Sequence, residues 1–305
     1  MRLNKIDKTV NHKVLVLRSF LAFREIDMKC VLTVAGLGTR LLPLTKEIPK
    51  EMLPIYEKTT DTGLILKPIL QVIFESLYDY NIKDFCFIVG KTKRSVEDHF
   101  TPNSELVELL QKEKKKKIAK ILKIFFKKLE KSNMMFITQP KPIGFGDAIS
   151  YGEKFVGEDD FLLHAGDDIV ISNDNSHLKR LNNNFKKYNA DIACLIEEVD
   201  DPSQYGVVSG PLLEKGVIEI NNMVEKPKKP KSKYAIIAIY QFKPKIFKYL
   251  KKVKKESNQQ NQLANAFNLA LKNKDKMIGV ILNKNEKRMD IGTPETYSKV
   301  LTSMK

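Results

Sequence analysis

The chain has few cysteines and no apolar run long enough to cross a membrane. Cys30, Cys86 and Cys194 are far apart and each lies inside an apolar run, which argues against a disulfide framework or a zinc site. We expect three buried thiols in a reducing compartment. The stretch Val14–Phe23 follows a basic start, but Arg18 interrupts it and no small-residue cleavage site follows. The sequence therefore favours neither an exported nor a membrane-spanning protein.

Acidic residues are few relative to basic ones. The chain has 53 Lys and Arg but only 37 Asp and Glu, so its formal net charge is +16. Much of the excess is local, in the segments 112–131, 226–233 and 243–255. Aromatic residues hardly interleave with these lysines, so we interpret the segments as solvated faces. Nucleic-acid binding stays open as an alternative on charge alone, without a recognised binding module.

The hydrophobic pattern alternates between strand and helix spacing from Lys29 onward. The first buried strand, Cys30–Ala35, ends at Gly36. We predict further strands at 84–90, 134–138, 161–164 and 191–199, and helices at 67–80, from 95, at 114–131 and at 177–189. After about residue 205 short strands crowd together, followed by helices at 244–254 and 261–272, a strand at 277–282 and a helix from Pro294. This alternation of strands and helices predicts a Rossmann-like α/β fold with a mixed, mostly parallel sheet and helices on both faces.

The domain organisation predicted from this pattern is one domain over 28–305, preceded by an extension at 1–27 that we expect to be dispensable. Its two halves, about 28–200 and 201–305, should share one continuous sheet. The extension has six Lys or Arg against three Asp or Glu and one short apolar run, so it cannot build its own core.

A glycine-containing segment, Ala35–Pro43 (AGLGTRLLP), follows the first strand. Two glycines let consecutive backbone N–H groups approach an anion, and Arg40 adds a forked cationic donor. The segment lacks the Gly-Lys-Ser/Thr of a Walker loop and the third glycine of a dinucleotide fingerprint. Lys50 lies between Pro49 and Pro54 and is a natural phosphate partner for such a loop.

Carboxylates follow two later strands. Asp167 ends the turn after the strand at 161–164, where parallel sheets bind ligands, and Asp290 lies in a strand-to-helix turn with Thr293 as the helix cap. Such oxygen ligands suit Mg²⁺, although a simple turn explains each aspartate equally well. Glu225 and Lys226 close another strand, where they can hold sugar hydroxyls and a phosphate.

Taken together, these segments resemble the prokaryotic UTP–glucose-1-phosphate uridylyltransferases, within the sugar-phosphate nucleotidyltransferase family. The resemblance spans roughly 29–300 and rests on the motifs AGLGTRLLP, PKEMLP, KPILQ, VEDHF, QPKPIGFGDA, GDDIV, YGVV and VEKP. It implies a fold of the nucleotide-diphospho-sugar transferase type, with a nucleotide-binding earlier half and a sugar-binding later half. It also implies UTP and glucose 1-phosphate as substrates, Mg²⁺ as cofactor, a cytoplasmic location and a homo-oligomer, either dimer or tetramer.

The resemblance also assigns the site residues. The nucleotide would be held by Ala35, Gly36, Gly38, Thr39, Arg40 and Lys50, with Gln139 and Gly144 at the base. The sugar phosphate would contact Gly206, Glu225 and Lys226. The metal ligands would be Asp167 and Asp290, and the catalytic cations would be Arg40, Lys50 and Lys226.

The chain departs from the family pattern in places. Phe145 and Asp147 stand in GFGDA where Gly-Leu-Gly-His-Ala is usual, Ala238 replaces a common glycine, and the segment 260–266 lacks both usual acids. A thymidylyltransferase, or an enzyme that accepts both UTP and dTTP, is therefore an open alternative. A non-catalytic nucleotide-sugar sensor is another, although the intact set of cations and aspartates argues against it.

Overall fold

A large β-sheet forms the centre of the computed structural model, which describes residues 28–59, 63–256 and 262–303. The predicted extension at 1–27 lies outside these ranges. The described strands are β1 (Lys29–Val34), β2 (Pro54–Thr59), β3 (Gly63–Pro68), β4 (Asp84–Gly90), β5 (Asn133–Gln139), β6 (Phe161–Ala165), β7 (Asp168–Ile171), β8 (Ile192–Glu198), β9 (Gly206–Ser209), β10 (Leu212–Glu214), β11 (Val217–Glu219), β12 (Asn222–Glu225), β13 (Tyr234–Phe242), β14 (Met277–Ile281) and β15 (Lys287–Asp290).

The main sheet has the order β10-β11-β14-β8-β13-β6-β1-β4-β5, with β9 beside β13 and β12 beside β9. β5, β4, β1 and β6 are parallel, and β8 pairs in parallel with β14. β13 is antiparallel to both β6 and β8, so these two groups share one direction. Among the eleven described strands of this sheet, β11, β12 and β13 run the other way. The prediction of a mixed, mostly parallel sheet that contains strands from both halves of the chain is therefore confirmed.

Helices cover both faces of the sheet, as predicted. In chain order they are α1 (Ile69–Asp79), α2 (Arg94–His99), α3 (Ser104–Lys112), α4 (Lys116–Glu130), α5 (Phe145–Ser150), α6 (Glu153–Val156), α7 (Ser176–Lys187), α8 (Ile246–Glu256), α9 (Gln262–Lys272) and α10 (Pro294–Ser303). No helix in the described ranges is both long enough and apolar enough to cross a membrane.

Two small ribbons lie apart from the main sheet, and the sequence patterns missed both pairings. β2 pairs with β3, and β7 pairs with β15, each in antiparallel orientation. The helix predicted from Lys67 was wrong at its start, because Lys67 and Pro68 belong to β3 and the helix begins at Ile69.

The core lies on both sides of the sheet because successive side chains of a buried strand point to opposite faces. In β4, Phe85 and Phe87 pack into one apolar cluster and Cys86 into the other. Burying each phenylalanine contributes roughly 1.5–3 kcal/mol. All three cysteines are free and buried, as expected, and burial raises the pKa of Cys86 to about 12.

The lysine-rich segment at 114–131 is less regular than its spacing indicated. Lys114 has a left-handed backbone (φ 61°), so the segment is divided and α4 begins only at Lys116. Phe125 and Leu129 are buried as predicted, but Ile118 is exposed.

Candidate active site

The glycine loop after β1 makes a tight turn over Lys50. Gly38 has a left-handed backbone (φ 65°), and its carbonyl accepts a hydrogen bond from Thr45 Oγ1 at 2.7 Å. A Cβ at Gly38 would lie 3.1 Å from Thr45, so both conformation and space favour glycine there. A Cβ at Gly36 would lie 3.5 Å from Lys50 Cε, so the side chain of Lys50 packs against the loop. The glycine loop and Lys50 are therefore in direct contact, and their shared role in phosphate binding stays a prediction.

Lys50 forms an ion pair with Asp167, which follows β6. Burial alone would lower the pKa of Lys50, but the carboxylates of Asp167, Glu51 and Asp290 outweigh burial and raise it. The lysine therefore stays charged in a largely buried position. A cation held in this way is suited to phosphate oxygens.

A second ion pair lies directly behind Lys50. Lys93 Nζ donates to both carboxylate oxygens of Glu51, at 2.8 and 2.6 Å. Glu51 is 1% exposed and Lys93 is 7% exposed. Burial opposes the charge on both groups, so the pKa of Glu51 is raised and the pKa of Lys93 is lowered. The pair supports the short 3₁₀ turn Lys50–Met52.

Asp290 reaches the site through the β7–β15 ribbon, in which it pairs with Asp168. The next residue, Ile291, donates its N–H to the backbone carbonyl of Asp167 at 3.2 Å. Burial, then the charges of Asp168 and Asp167, raise the pKa of Asp290 to about 6, against the opposing charges of Arg288 and Lys50. The ribbon thus places two predicted metal ligands side by side.

Arg40 lies close to Asp290. A Cβ built on Gly292 would lie 2.8 Å from Asp290 Oδ2 and 3.2 Å from Arg40 Nη2, so both side chains pack over this glycine. Thr293, predicted to cap the last helix, accepts a hydrogen bond on Oγ1 from the N–H of Thr296 at 3.2 Å. The close packing explains why glycine precedes this cap.

Gln139 and Gly144 lie together at the carboxyl end of β5, as the resemblance implied. Gln139 is 3% exposed, and its Nε2 donates to Asp147 Oδ2 at 2.7 Å and to the Gly144 carbonyl at 3.4 Å. Both residues line a cavity of about 310 Å³, together with the glycine loop and Asp167. This cavity brings together the predicted nucleotide residues Ala35, Gly36, Gly38, Thr39, Lys50, Gln139 and Gly144.

A second cavity of about 380 Å³ adjoins the first one. The two share Gly144, Phe145, Ala165 and Asp167. Gly206, Glu225 and Arg40 line the second cavity. Gly206 pairs with Glu225 across β9 and β12, and a Cβ at Gly206 would lie 3.1 Å from Glu225 Oε2. Two of the predicted sugar residues, Gly206 and Glu225, therefore line a cavity beside the one that contains most of the predicted nucleotide residues, and Arg40 lines this second cavity instead of the first.

Lys226 is the one predicted cation whose side chain does not line either cavity in the described structure. It has a left-handed backbone (φ 45°), its N–H donates to the Tyr205 carbonyl at 2.9 Å, and its side chain is exposed. The residue therefore lies beside Glu225 at the rim of the second cavity.

Sequence reasoning missed the residues that hold this second cavity in place. Arg288 donates to both oxygens of Asp168 at 2.9 and 2.8 Å, and its guanidinium lies 4.9 Å from the Tyr205 ring centre. Asp168 also accepts from the N–H of Ala238 at 3.2 Å. The GDD motif was the available signal for Asp168, but nothing in the sequence links it to Arg288. Gln262 also lines this cavity, whereas Gln260 and Asn261 lie outside the described residues.

A sheet whose carboxyl edge carries a glycine loop, buried cations and paired carboxylates is characteristic of enzymes that act on phosphorylated nucleotides. The family model described as nucleotidyl transferase matches residues 29–305. A protein of Methanocaldococcus jannaschii, named as a UTP–glucose-1-phosphate uridylyltransferase, is 41% identical over 268 residues, which cover 87% of this chain and 88% of that protein.

Solved structures agree with this match. An apo UDP-glucose pyrophosphorylase superimposes with a TM-score of 0.80 at 34% identity, covering 91% of this chain and 98% of that one. A UDP-glucose pyrophosphorylase complexed with UDP-glucose gives a TM-score of 0.75 at 33% identity, with the same coverage. The chain belongs to the nucleotidyl transferase family.

Proposed function

We propose that this chain forms UDP-glucose and pyrophosphate from UTP and glucose 1-phosphate. The observation that carries the proposal is the pair of adjoining cavities with Asp167 in their shared wall. One is lined by the glycine loop, Gln139 and Gly144, and the other is lined by Gly206 and Glu225. The names of the similar proteins support the same reaction.

The reaction needs no protein nucleophile. A phosphate oxygen of glucose 1-phosphate attacks the α-phosphorus of UTP, and the bond to the bridging oxygen of pyrophosphate breaks in line. The attacking group is already an anion, so the enzyme has to position two anionic substrates and lower their repulsion. Lys50 lines the first cavity, Arg40 lines the second, and Lys226, next to Glu225 in the chain, would meet the sugar phosphate.

The donor set fits Mg²⁺. Asp167 and Asp290 offer hard carboxylate oxygens on adjacent segments, and burial together with the neighbouring aspartates raises the pKa of Asp290, so a bound cation would stabilise its charged form. These two residues would hold the ion, with phosphate oxygens and water completing its coordination. A bound Mg²⁺ would supply charge neutralisation at the reacting phosphates.

A combined uridylyl- and thymidylyltransferase is the second candidate. Gln139 lies where it can pair with the N3–H edge that uracil and thymine share. Phe145 lines both cavities and is 36% exposed, so it is the residue against which the thymine methyl group would pack.

The test is a pyrophosphate-release assay with each NTP and dNTP and a panel of sugar 1-phosphates, with and without Mg²⁺. We expect turnover with UTP and glucose 1-phosphate that requires the metal. Comparable turnover with ATP or GTP would contradict the proposal. Tight binding of UDP-glucose without turnover would favour the sensor alternative, and salt-sensitive binding of random DNA would favour the nucleic-acid alternative.

We further propose a homo-oligomer, dimer or tetramer, in the cytoplasm. Both proposals rest on the family resemblance and on the nature of the substrates. Light scattering coupled to gel filtration tests the first, and fractionation of cells that express the chain tests the second.

A further inference from the structure

The base end of the nucleotide cavity contains a buried chain of polar contacts whose direction is fixed by chemistry. A carboxylate has acceptors only, so the group of Gln139 that faces Asp147 Oδ2 at 2.7 Å must be its NH₂. Asp147 is 1% exposed, so water does not compete for this contact. The orientation of the Gln139 amide is therefore determined by its neighbour.

Asp147 is itself held by residues of two later helices. Its other oxygen accepts from Lys254 Nζ of α8 at 2.6 Å, and the ammonium group supplies a counter-charge to the carboxylate. Its backbone N–H donates to Gln262 Oε1 of α9 at 2.6 Å. Gln262 of α9 fixes the backbone of Asp147 and Lys254 of α8 fixes its other oxygen, so the carboxylate cannot turn away from Gln139 without losing the contact with Lys254.

These contacts determine which atom of the Gln139 amide is available to a ligand. Both donors of Nε2 are directed at the protein, one to Asp147 and one to the Gly144 carbonyl at 3.4 Å. Oε1 is therefore the atom left for a ligand in the cavity that Gln139 lines. Uracil and thymine carry an N3–H that donates to such an acceptor. Cytosine carries a lone pair at N3, so two acceptors would face each other.

We propose that Asp147 is a positioning residue that fixes the Gln139 amide, so that the site accepts a pyrimidine with an N3–H and rejects cytosine. The inference rests on the proposed function, since it assumes that the base lies against Gln139. It adds to that function the residue, Asp147, that determines the preference for UTP over CTP.

The experiment is the variant Asp147→Asn. The introduced amide has both a donor and an acceptor, so the Gln139 amide can adopt either orientation and can present its NH₂ to cytosine. We expect the ratio of kcat/KM for UTP over CTP to fall at least about tenfold, mainly through KM. Calorimetric Kd values for UTP and CTP should show the same loss without turnover. Asp147→Ser, with a hydroxyl that also donates and accepts, gives the same expectation if the first variant does not fold.

Two further variants separate positioning from a structural role. Lys254→Ala removes the counter-charge but leaves Asp147 an acceptor only, so Tm should fall while the Gln139 amide keeps its orientation and the UTP/CTP ratio changes less than about twofold. Adding Asp147→Asn to a Gln139→Ala enzyme should leave the ratio where Gln139→Ala puts it.

An unchanged ratio in Asp147→Asn, or an equal loss for both nucleotides, would overturn the inference. So would an effect of Asp147→Asn that persists in the Gln139→Ala enzyme. The binding measurements keep this inference distinct from the reaction itself. A wild-type chain that binds UTP over CTP through Asp147 but makes no UDP-glucose would refute the proposed function and support this inference.

Discussion

Replacing Lys93 by methionine tests whether the ion pair behind Lys50 supports the active site. Methionine keeps most of the length of the side chain and removes its charge. Glu51 would then be a carboxylate at 1% exposure without its main counter-charge, beside Asp167. The variant therefore isolates the contribution of one buried cation.

The size of the effect follows from two opposing contributions. At an N–O distance of 2.6 Å and an effective dielectric constant of about 20, the attraction is roughly 6 kcal/mol. Desolvation of two buried ions costs a similar amount, which is why burial dominates the pKa of both groups. The intact pair thus contributes little net stability, but removing one partner should cost about 3–5 kcal/mol.

The assay is thermal and urea unfolding of wild-type, Lys93→Met, Glu51→Met and the double variant. We expect Lys93→Met to lower Tm by roughly 5–8 °C, and the double variant to be more stable than Lys93→Met alone. Glu51 lies next to Lys50 in the 3₁₀ turn Lys50–Met52, so both variants that lack Glu51 should also shift Lys50 and raise the KM for UTP. A cost below about 1 kcal/mol for Lys93→Met, or additive losses in the double variant, would refute the reasoning.

Four further results are expected. Asp290→Asn should abolish most turnover, because it removes a proposed metal ligand, and it should not lower Tm, because it relieves the repulsion between neighbouring aspartates. Near-wild-type turnover at saturating Mg²⁺ would contradict the assignment of Asp290 as a metal ligand. Lys226→Ala should raise the KM for glucose 1-phosphate more than the KM for UTP, and the opposite split would reverse the proposed orientation. Burial lowers the pKa of His177 to about 4, so this histidine binds a proton less readily in the folded state than in the unfolded state. The free energy of unfolding should therefore decrease as the pH falls from 6.5 toward 4. Urea unfolding should show about 2 kcal/mol of this loss between pH 7 and pH 5, and less of it in His177→Gln. A chain that begins at Met28 should keep its Tm and turnover, and a drop of several degrees would show instead that 1–27 packs on the domain.

The parts of the fold that the sequence predicted are those with a strong local signal. β4 was predicted with its observed bounds, Asp84–Gly90, because its interior is uniformly apolar and both ends are polar or glycine. The β2–β3 ribbon was missed even though TTDTG between two extended runs is a turn signal. The helical spacing of 69–80 extended the predicted helix too far toward Pro68, where the chain is still a strand.

The candidate active site also has a part that the sequence predicts and a part that it does not. Motifs at strand ends predicted Lys50, Asp167 and Asp290 as site residues, because ligands of α/β sheets bind at that edge, and the structure brings these three residues together. The contacts that fix these groups were not predictable, because they join segments more than a hundred residues apart. Arg288 meets Asp168 only because β15 pairs with β7, and no local pattern in either strand specifies that register.

The lysines that support the chemistry are not those that make the chain basic. The lysine-rich surfaces carry the excess charge, and their side chains are mostly exposed. Lys50 is instead paired with Asp167, and Lys93 with the buried carboxylate of Glu51, so cationic charge is held where a triphosphate would otherwise be repelled by Asp167 and Asp290. The contact between Lys50 and Asp167 is one that substrate and metal can replace, because a phosphate oxygen can take the lysine and Mg²⁺ can take the carboxylate. The site depends on this local pairing of charges, so the net charge of +16 carries little information about its function.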